Sequence, residues 1–265
     1  MSDKILDTLA WCTRKRIEKN KKEISPEQLK NKALSMNSDT GFPFERALKK
    51  EGMSFICEIK KASPSKGIIA EDFPYMDIAK EYEQAGASAI SILTETDYFL
   101  GNDKYVEKVS RVVDIPIIRK DFTIDEYMIY QAKTMGASAV LLICALLDTE
   151  TIKKYINICD RLGISALVEA HDSQEIRSAL QAGARIVGVN NRNLKNFTVD
   201  INNSTSLRKL VPSDVIFVAE SGIKTPQDIT VLKQADVNAV LIGETFMRSR
   251  NKREMLVTLN GGELK

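Results

Sequence analysis

Residues 136–169 read GASAVLLICALLDTETIKKYINICDRLGISALVE, and this stretch holds one complete structural unit. Ala139-Val140-Leu141-Leu142-Ile143 is apolar throughout, without polar alternation, as suits a parallel strand covered on both faces. Ile152, Tyr155, Ile156, Cys159 and Leu162 then fall on one face at helical spacing, and Gly163 stops that helix. Ile164 to Val168 is a second apolar run. The unit is strand, helix, strand.

Outward from it the pattern repeats. Further apolar runs lie at Phe55-Ile56-Cys57, Ala89 to Leu93, Ile115 to Ile118, Ile186 to Val189, Val215 to Ala219 and Ala239 to Ile242, which makes eight. Ala85-Gly86-Ala87, Gly136-Ala137 and Ala182-Gly183-Ala184 precede runs, where glycine supplies a left-handed helix end. Thr123 with Glu126 reads as a capping box, and Thr225 before Pro226 as an N-cap. Eight units of about 26 residues suit a closed (β/α)8 TIM barrel of ~250 residues. A doubly wound open sheet competes, but no G-x-G-x-x-G follows the first run.

The first 50 residues differ. Ile5, Leu6, Leu9 and Ala10 begin an amphipathic helix, Ser25 caps a second at Pro26, and Phe44, Ala47 and Leu48 mark a third. The expected organisation is one barrel domain over residues 1–265, with residues 1–50 a helical extension packed on it. The basic run Arg14-Lys15-Arg16, with Lys19, Lys21 and Lys22, is interleaved with Glu18 and Glu23 and reads as a solvated helix face. Contact with nucleic acid or an acidic membrane is the alternative.

Composition narrows the function classes. The chain is 43% hydrophobic with 13 Gly and 7 Pro among 265 residues, which supports a packed core and argues against disorder. Thirty-eight Lys+Arg against 36 Asp+Glu leave a net +2, too little for a general nucleic-acid binder, so a bound anion must meet a local cluster. Four scattered cysteines without C-x-x-C and a single histidine, His171, argue against a zinc finger, a disulfide scaffold and a multi-histidine metal site. The longest apolar run, Ala139 to Leu147, is about half a membrane span, and Met1-Ser2-Asp3-Lys4 opens no signal peptide. A cytoplasmic, reduced, soluble chain is expected, with no cofactor, no metal, no nucleic-acid or membrane partner and a small-molecule substrate. A monomer is favoured, and the length leaves no room for a second fused barrel.

Active sites of this fold sit where strands end. The runs end in Glu58-Ile59-Lys60, Thr94-Glu95, Lys120-Asp121, Glu169, Asn190-Asn191-Arg192, Glu220-Ser221-Gly222 and Gly243-Glu244; only Leu142-Ile143-Cys144 ends apolar. Seven of eight ends are therefore expected to turn polar groups toward one face. Strand alternation places Glu58 and Lys60 on the same side. Gathered ionisable groups are costly unless a ligand or mutual pairing satisfies them, so the alternative is a ring of salt bridges that only closes the barrel. Gly222 and Gly243 stand where this fold commonly builds a phosphate site, or are ordinary turn glycines. Ser63-Pro64-Ser65-Lys66-Gly67 opens a long loop that we expect to close over a ligand. His171 precedes Asp172, which with Glu175 reads as a capping box, so a surface role near that cap is expected.

Glu58-Ile59-Lys60-Lys61-Ala62-Ser63-Pro64-Ser65-Lys66-Gly67 resembles the first-strand signature of the indole-3-glycerol phosphate synthase family. The likeness continues through Leu93-Thr94-Glu95, Tyr98-Phe99-Leu100-Gly101, Arg119-Lys120-Asp121-Phe122, Leu167-Val168-Glu169, Gly188 to Leu194, Ala219 to Ile223 and Leu241 to Glu244. It covers essentially the whole chain. It implies a carboxy-lyase of tryptophan biosynthesis, acting on 1-(2-carboxyphenylamino)-1-deoxyribulose 5-phosphate by ring closure, decarboxylation and dehydration. By this resemblance Lys120 is the main general acid, and Lys60 pairs with the substrate carboxylate and is a second proton donor. Glu169 would serve the dehydration, with Glu58 and Asn190 orienting lysines and substrate hydroxyls. Glu220 and Ser221 would lie beneath the sugar, Ser63, Gly222, Gly243 and Glu244 at the phosphate, and Arg192 near the anionic end. Phe99, Phe122, Leu142 and Ile143 would wall the aryl ring.

Burial would lower a lysine pKa and neighbouring carboxylates would raise it; the sequence leaves that balance open. Three rival functions compete. Phosphoribosylanthranilate isomerase would need a cysteine base ending the first strand, and Cys57 is out of phase with Glu58 and Lys60. A Schiff-base aldolase would use Lys60 or Lys120 as nucleophile. A non-catalytic barrel would bind through its basic N-terminal helix.

Overall fold

The computed structural model describes residues 2–193 and 198–262, with side chains from Ile5 onward; Leu194 of the family-like motif lies outside the described residues. Three helices, α1 (Ser2–Glu23), α2 (Pro26–Leu34) and α3 (Pro43–Leu48), precede β1 (Ser54–Ile59). A two-residue hairpin, β2 (Ala62–Ser63) and β3 (Gly67–Ile68), shapes the loop after β1. Then follow α4 (Tyr75–Ala85), β4 (Ala89–Leu93), α5 (Asp103–Val109), β5 (Ile117–Lys120), α6 (Glu126–Thr134), β6 (Ala139–Ile143), α7 (Thr149–Leu162) and β7 (Ser165–Ala170). The chain continues through α8 (Ser173–Gln181), β8 (Ile186–Asn190), α9 (Asn202–Arg208), β9 (Ile216–Glu220), α10 (Pro226–Gln234) and β10 (Ala239–Ile242), then α11 (Glu244–Arg248) and α12 (Lys252–Leu259).

The eight longer strands close into one parallel barrel, with β1 paired to β4 on one side and to β10 on the other. Each apolar run divides its residues between two cores by strand alternation. Ile56, Ile118, Leu141, Ile143, Leu167, Val218 and Leu241 fill the lumen, while Cys57, Ile90, Val140, Leu142 and Val168 pack outward against the helices. Leu142 is therefore not an aryl-ring wall. Its neighbours Leu141 and Ile143 point inward.

The extension packs against both ends of the barrel. Phe44 and Leu48 of α3 join the lumen cluster at its N-terminal mouth, where Glu45 accepts from Ser165 Oγ and pairs with Arg185. At the opposite mouth, Arg16 of α1 donates to both carboxylate oxygens of Asp121 at 2.7 Å and to the Thr94 carbonyl at 2.8 Å. Lys21 pairs with Asp125 at 2.8 Å. The basic run is thus not a uniformly solvated face: Arg16 and Lys21 dock the helix.

The helix ends at Ser25, Gly163 and Thr225 agree with the sequence reading, and the boxes Ser25/Gln28 and Thr225/Asp228 are both formed. Thr123 does not cap α6. Asp125, extended and closer to the first helical turn, accepts from Tyr127 N instead. Among the described residues no helix is long and apolar enough to cross a membrane.

Candidate active site

The C-terminal ends of the strands open into a cavity of about 670 Å³. The next inward positions beyond the lumen side chains carry the chemistry: Glu58 on β1, Lys120 on β5, Glu169 on β7, Asn190 on β8 and Glu220 on β9. Lys60 follows β1 and is ion-paired to Glu58. Lys120 stands between two carboxylates, 3.5 Å from Glu169 Oε2 and 3.4 Å from Glu220 Oε2. Asn190 Nδ2 donates to Glu169 Oε1 at 3.2 Å.

These groups set one another's charge. Burial opposes a proton on Lys120, but Glu220, Glu169 and Glu58 outweigh it and hold the ammonium above its ordinary pKa. Burial likewise opposes charge on Glu58 and Glu169, yet both lie below the usual carboxylate value: Lys60 and Lys120 act on the first, Lys120, His171 and Asn190 on the second. Glu220 goes the other way. Burial, with the negative charges of Glu169 and Glu58, exceeds what Lys120 offsets and pushes it up to about 7. It shares its lysine with Glu169, and its Oε1 makes no hydrogen bond among the described residues. The carboxylate with the poorest pairing is the one that keeps a proton.

Apolar and backbone surfaces complete the cavity. Phe99 and Phe122 approach with ring centroids 6.1 Å apart and, with Leu141 and Ile143, line one part of it. Ser221 and Gly222 are both left-handed, at φ 67° and 83°, and Asn191 Nδ2 fixes that turn by donating to the Ser221 carbonyl at 3.1 Å. A Cβ on Gly222 would strike Val199, and one on Gly243 would strike Glu58 and Lys60. Both glycines admit close packing that any side chain would block. Ser63, Arg192 and Glu244 also line the cavity; Glu244 is paired with Arg248 at 3.1 Å and with Lys66 at 3.7 Å.

Every residue that the family resemblance placed in the site, except Leu142, meets in this one cavity. Two expected polar ends turn their carboxylates elsewhere. Glu95 turns its carboxylate onto the backbone N–H groups of Asp97, Tyr98 and Phe99, leaving Leu93 as the inward end of β4. The Asp121 carboxylate is held by Arg16 and Arg119. The sequence reading missed Ile5, Leu6 and Leu9 of α1 as lining residues, and also Lys224 and Arg248. The basic residues follow the glycine turns closely, which was the available signal; the helix contact had none. His171 is not at the surface. Its ring is largely buried beside Glu169 and Glu175.

The family described as indole-3-glycerol phosphate synthase matches residues 6–259. A synthase of that name from Ruminiclostridium cellulolyticum is 59% identical over 257 residues, covering 97% of this chain and 99% of the relative. One from Endomicrobium trichonymphae is 53% identical, covering 95% and 98%. The crystal structure of a 3-hexulose-6-phosphate synthase superposes with a TM-score of 0.64 at 15% identity, over 79% of this chain and 99% of that one, a likeness of fold alone. The chain belongs to the indole-3-glycerol phosphate synthase family.

Proposed function

We propose that the chain converts 1-(2-carboxyphenylamino)-1-deoxyribulose 5-phosphate to indole-3-glycerol phosphate, carbon dioxide and water by general acid–base catalysis in this cavity. The observation that carries the reading is Lys120, buried and cationic, set between Glu169 and Glu220 on the floor of a cavity with an aromatic wall.

Ring closure joins an electron-rich aryl carbon to the sugar ketone, whose oxygen gains negative charge. Lys120 gives that oxygen a proton. Its raised pKa keeps the proton in place beforehand, and the developing alkoxide is basic enough to take it. Lys60, held by Glu58, pairs with the substrate carboxylate until carbon dioxide leaves, and is the second proton donor. Loss of the carboxylate leaves a carbinol that must shed hydroxide. Glu169 serves this step as acid and base, steadied by Asn190.

Phe99, Phe122, Leu141 and Ile143 receive the aryl ring, Leu141 taking the place expected of Leu142. Glu220 and Ser221 lie beneath the sugar. The turns at Gly222 and Gly243, with Ser63 and Glu244, receive the phosphate, and Arg192 stands near this anionic end. Lys66 and Arg248 offset the charge of Glu244 there.

Single-turnover quenching of variants separates the steps. Lys120→Ala should leave substrate unclosed, whereas Glu169→Gln should close the ring and accumulate a species not yet dehydrated. A Lys120→Ala variant that closes the ring and stalls at dehydration would reverse the two roles.

A further inference from the structure

His171 is the sole histidine of the chain, and it sits just past β7, two residues beyond Glu169. Its Nδ1 lies 3.1 Å from Glu175 Oε2, and the same oxygen accepts the His171 backbone N–H at 2.7 Å. On the other edge of the ring, Nε2 is buried, makes no hydrogen bond among the described residues, and stands 3.4 Å from Glu169 Oε1. Asn203 of α9 donates to the His171 carbonyl at 3.3 Å and to the Asn190 carbonyl at 3.4 Å. Glu175 of α8 and Glu169 of β7 flank the ring, and Asn203 of α9 fixes the backbone that carries it.

We propose that His171, as an imidazolium anchored by Glu175, is a positioning residue that fixes the Glu169 carboxylate so that its Oε2 faces Lys120 and the reacting sugar. This rests on the role given to Glu169 above. A glutamate χ3 is broad and nearly two-fold, so a carboxylate at a strand mouth needs partners to choose an orientation. Here Asn190 and His171 both address Oε1, and Oε2 is left toward Lys120 at 3.5 Å.

Both ring nitrogens face carboxylate oxygens, and a neutral imidazole would turn a lone pair on one of them. Protonation at both nitrogens removes that conflict, adds charge assistance to the Nδ1 hydrogen bond with Glu175 and gives an electrostatic attraction between Nε2 and Glu169. The groups facing the ring agree in sign: Glu175 from α8, Glu169 from β7 and Glu220 from β9 raise its pKa against the opposing effect of burial. Lys120 lies on the far side of Glu169. Cys144, beside Glu175 with its thiol pKa pushed up to about 12, adds no charge near neutral pH.

With one histidine in the chain, a long-range ¹H–¹⁵N spectrum shows a single imidazole without assignment. The ring should be protonated at both nitrogens to above the ordinary midpoint of about 6.5, and Glu169→Gln should lower that midpoint. A midpoint at or below the ordinary value, or one indifferent to Glu169→Gln, overturns the proposal.

Kinetics supply the second arm. His171→Ala should lower kcat about tenfold with KM within about twofold, and should move the acid limb of kcat upward because Glu169 loses a cationic neighbour. His171→Gln, which keeps a donor near the Nε2 position without its charge, should recover part of kcat but not the acid limb. Wild-type kcat and pH profile in His171→Ala contradict the proposal. So does a loss shared by kcat, KM and melting temperature that Gln does not rescue, since that marks a packing role. If the wild-type chain forms no indole product, the functional reading fails by itself, and the spectrum still tests the ion pair.

Discussion

Lys120, Glu169 and Glu220 form a buried group in which two carboxylates share one ammonium, and the uneven sharing has measurable consequences. Lys120→Ala should reduce kcat by about a thousandfold, within the range general acids supply, measured by steady-state indole fluorescence. Glu220 keeps its proton up to about 7 in the folded state, against 4.5 ordinarily. Between those values the folded state binds a proton that the unfolded chain has lost, so this residue's contribution to stability falls as pH rises and is flat above. Glu220→Gln should therefore match the wild type in stability near pH 5 and exceed it at pH 8, by on the order of 3 kcal/mol at most. Denaturant titrations at the two pH values check this; an equal difference at both would contradict it. At this scale the sequence was informative where chemistry and alternation coincide. Glu58 and Lys60 were placed together by spacing alone, and the same rule, applied to Leu141, Leu142 and Ile143, picks out Leu141 rather than Leu142. His171 was misread because its place between β7 and α8 was taken from the cap at Asp172, whereas its ring turns in toward Glu169 and Glu175.

Among the elements, α1 does most that an isolated reading of its pattern would not suggest. Its Arg16 is the cation for a fully buried Asp121, and its Ile5, Leu6 and Leu9 line the cavity. Arg16→Ala would leave Asp121 with Arg119, at 3.5 Å, as its remaining cation. The expected cost is about 3 kcal/mol of stability, with a raised KM as α1 loosens over the mouth; equilibrium unfolding and initial rates read the two effects. An unchanged KM would show that the helix wall does not touch substrate. The strands themselves were legible because parallel strands covered on both sides leave continuous apolar runs. β5 was less so. Its apolar run ends at Ile118, yet the strand continues through Arg119, a fully buried charge made tolerable by Asp103 at 2.8 Å, the Met128 carbonyl at 3.0 Å and Thr94 Oγ1 at 3.1 Å. Such a residue is visible only once its partners are in place.

For the whole molecule, the eight-unit count indicated a closed barrel, while the placement of the extension followed from long-range pairs that no local pattern encodes. α3 plugs one mouth and α1 covers part of the other. We infer from these contacts that extension and barrel unfold as one cooperative unit. Trp11, the single tryptophan, lies on α1, so its fluorescence reports the extension, while far-UV circular dichroism reports the whole chain, most of whose helices and strands belong to the barrel. Their urea transitions should coincide; an earlier tryptophan transition would separate the two. The most direct measurement of the proposed reaction mixes the purified chain with 1-(2-carboxyphenylamino)-1-deoxyribulose 5-phosphate, in the presence of a chelator, and follows indole fluorescence together with carbon dioxide release. Both products should appear, in equal amounts. Folded protein that yields neither product would contradict the proposed reaction.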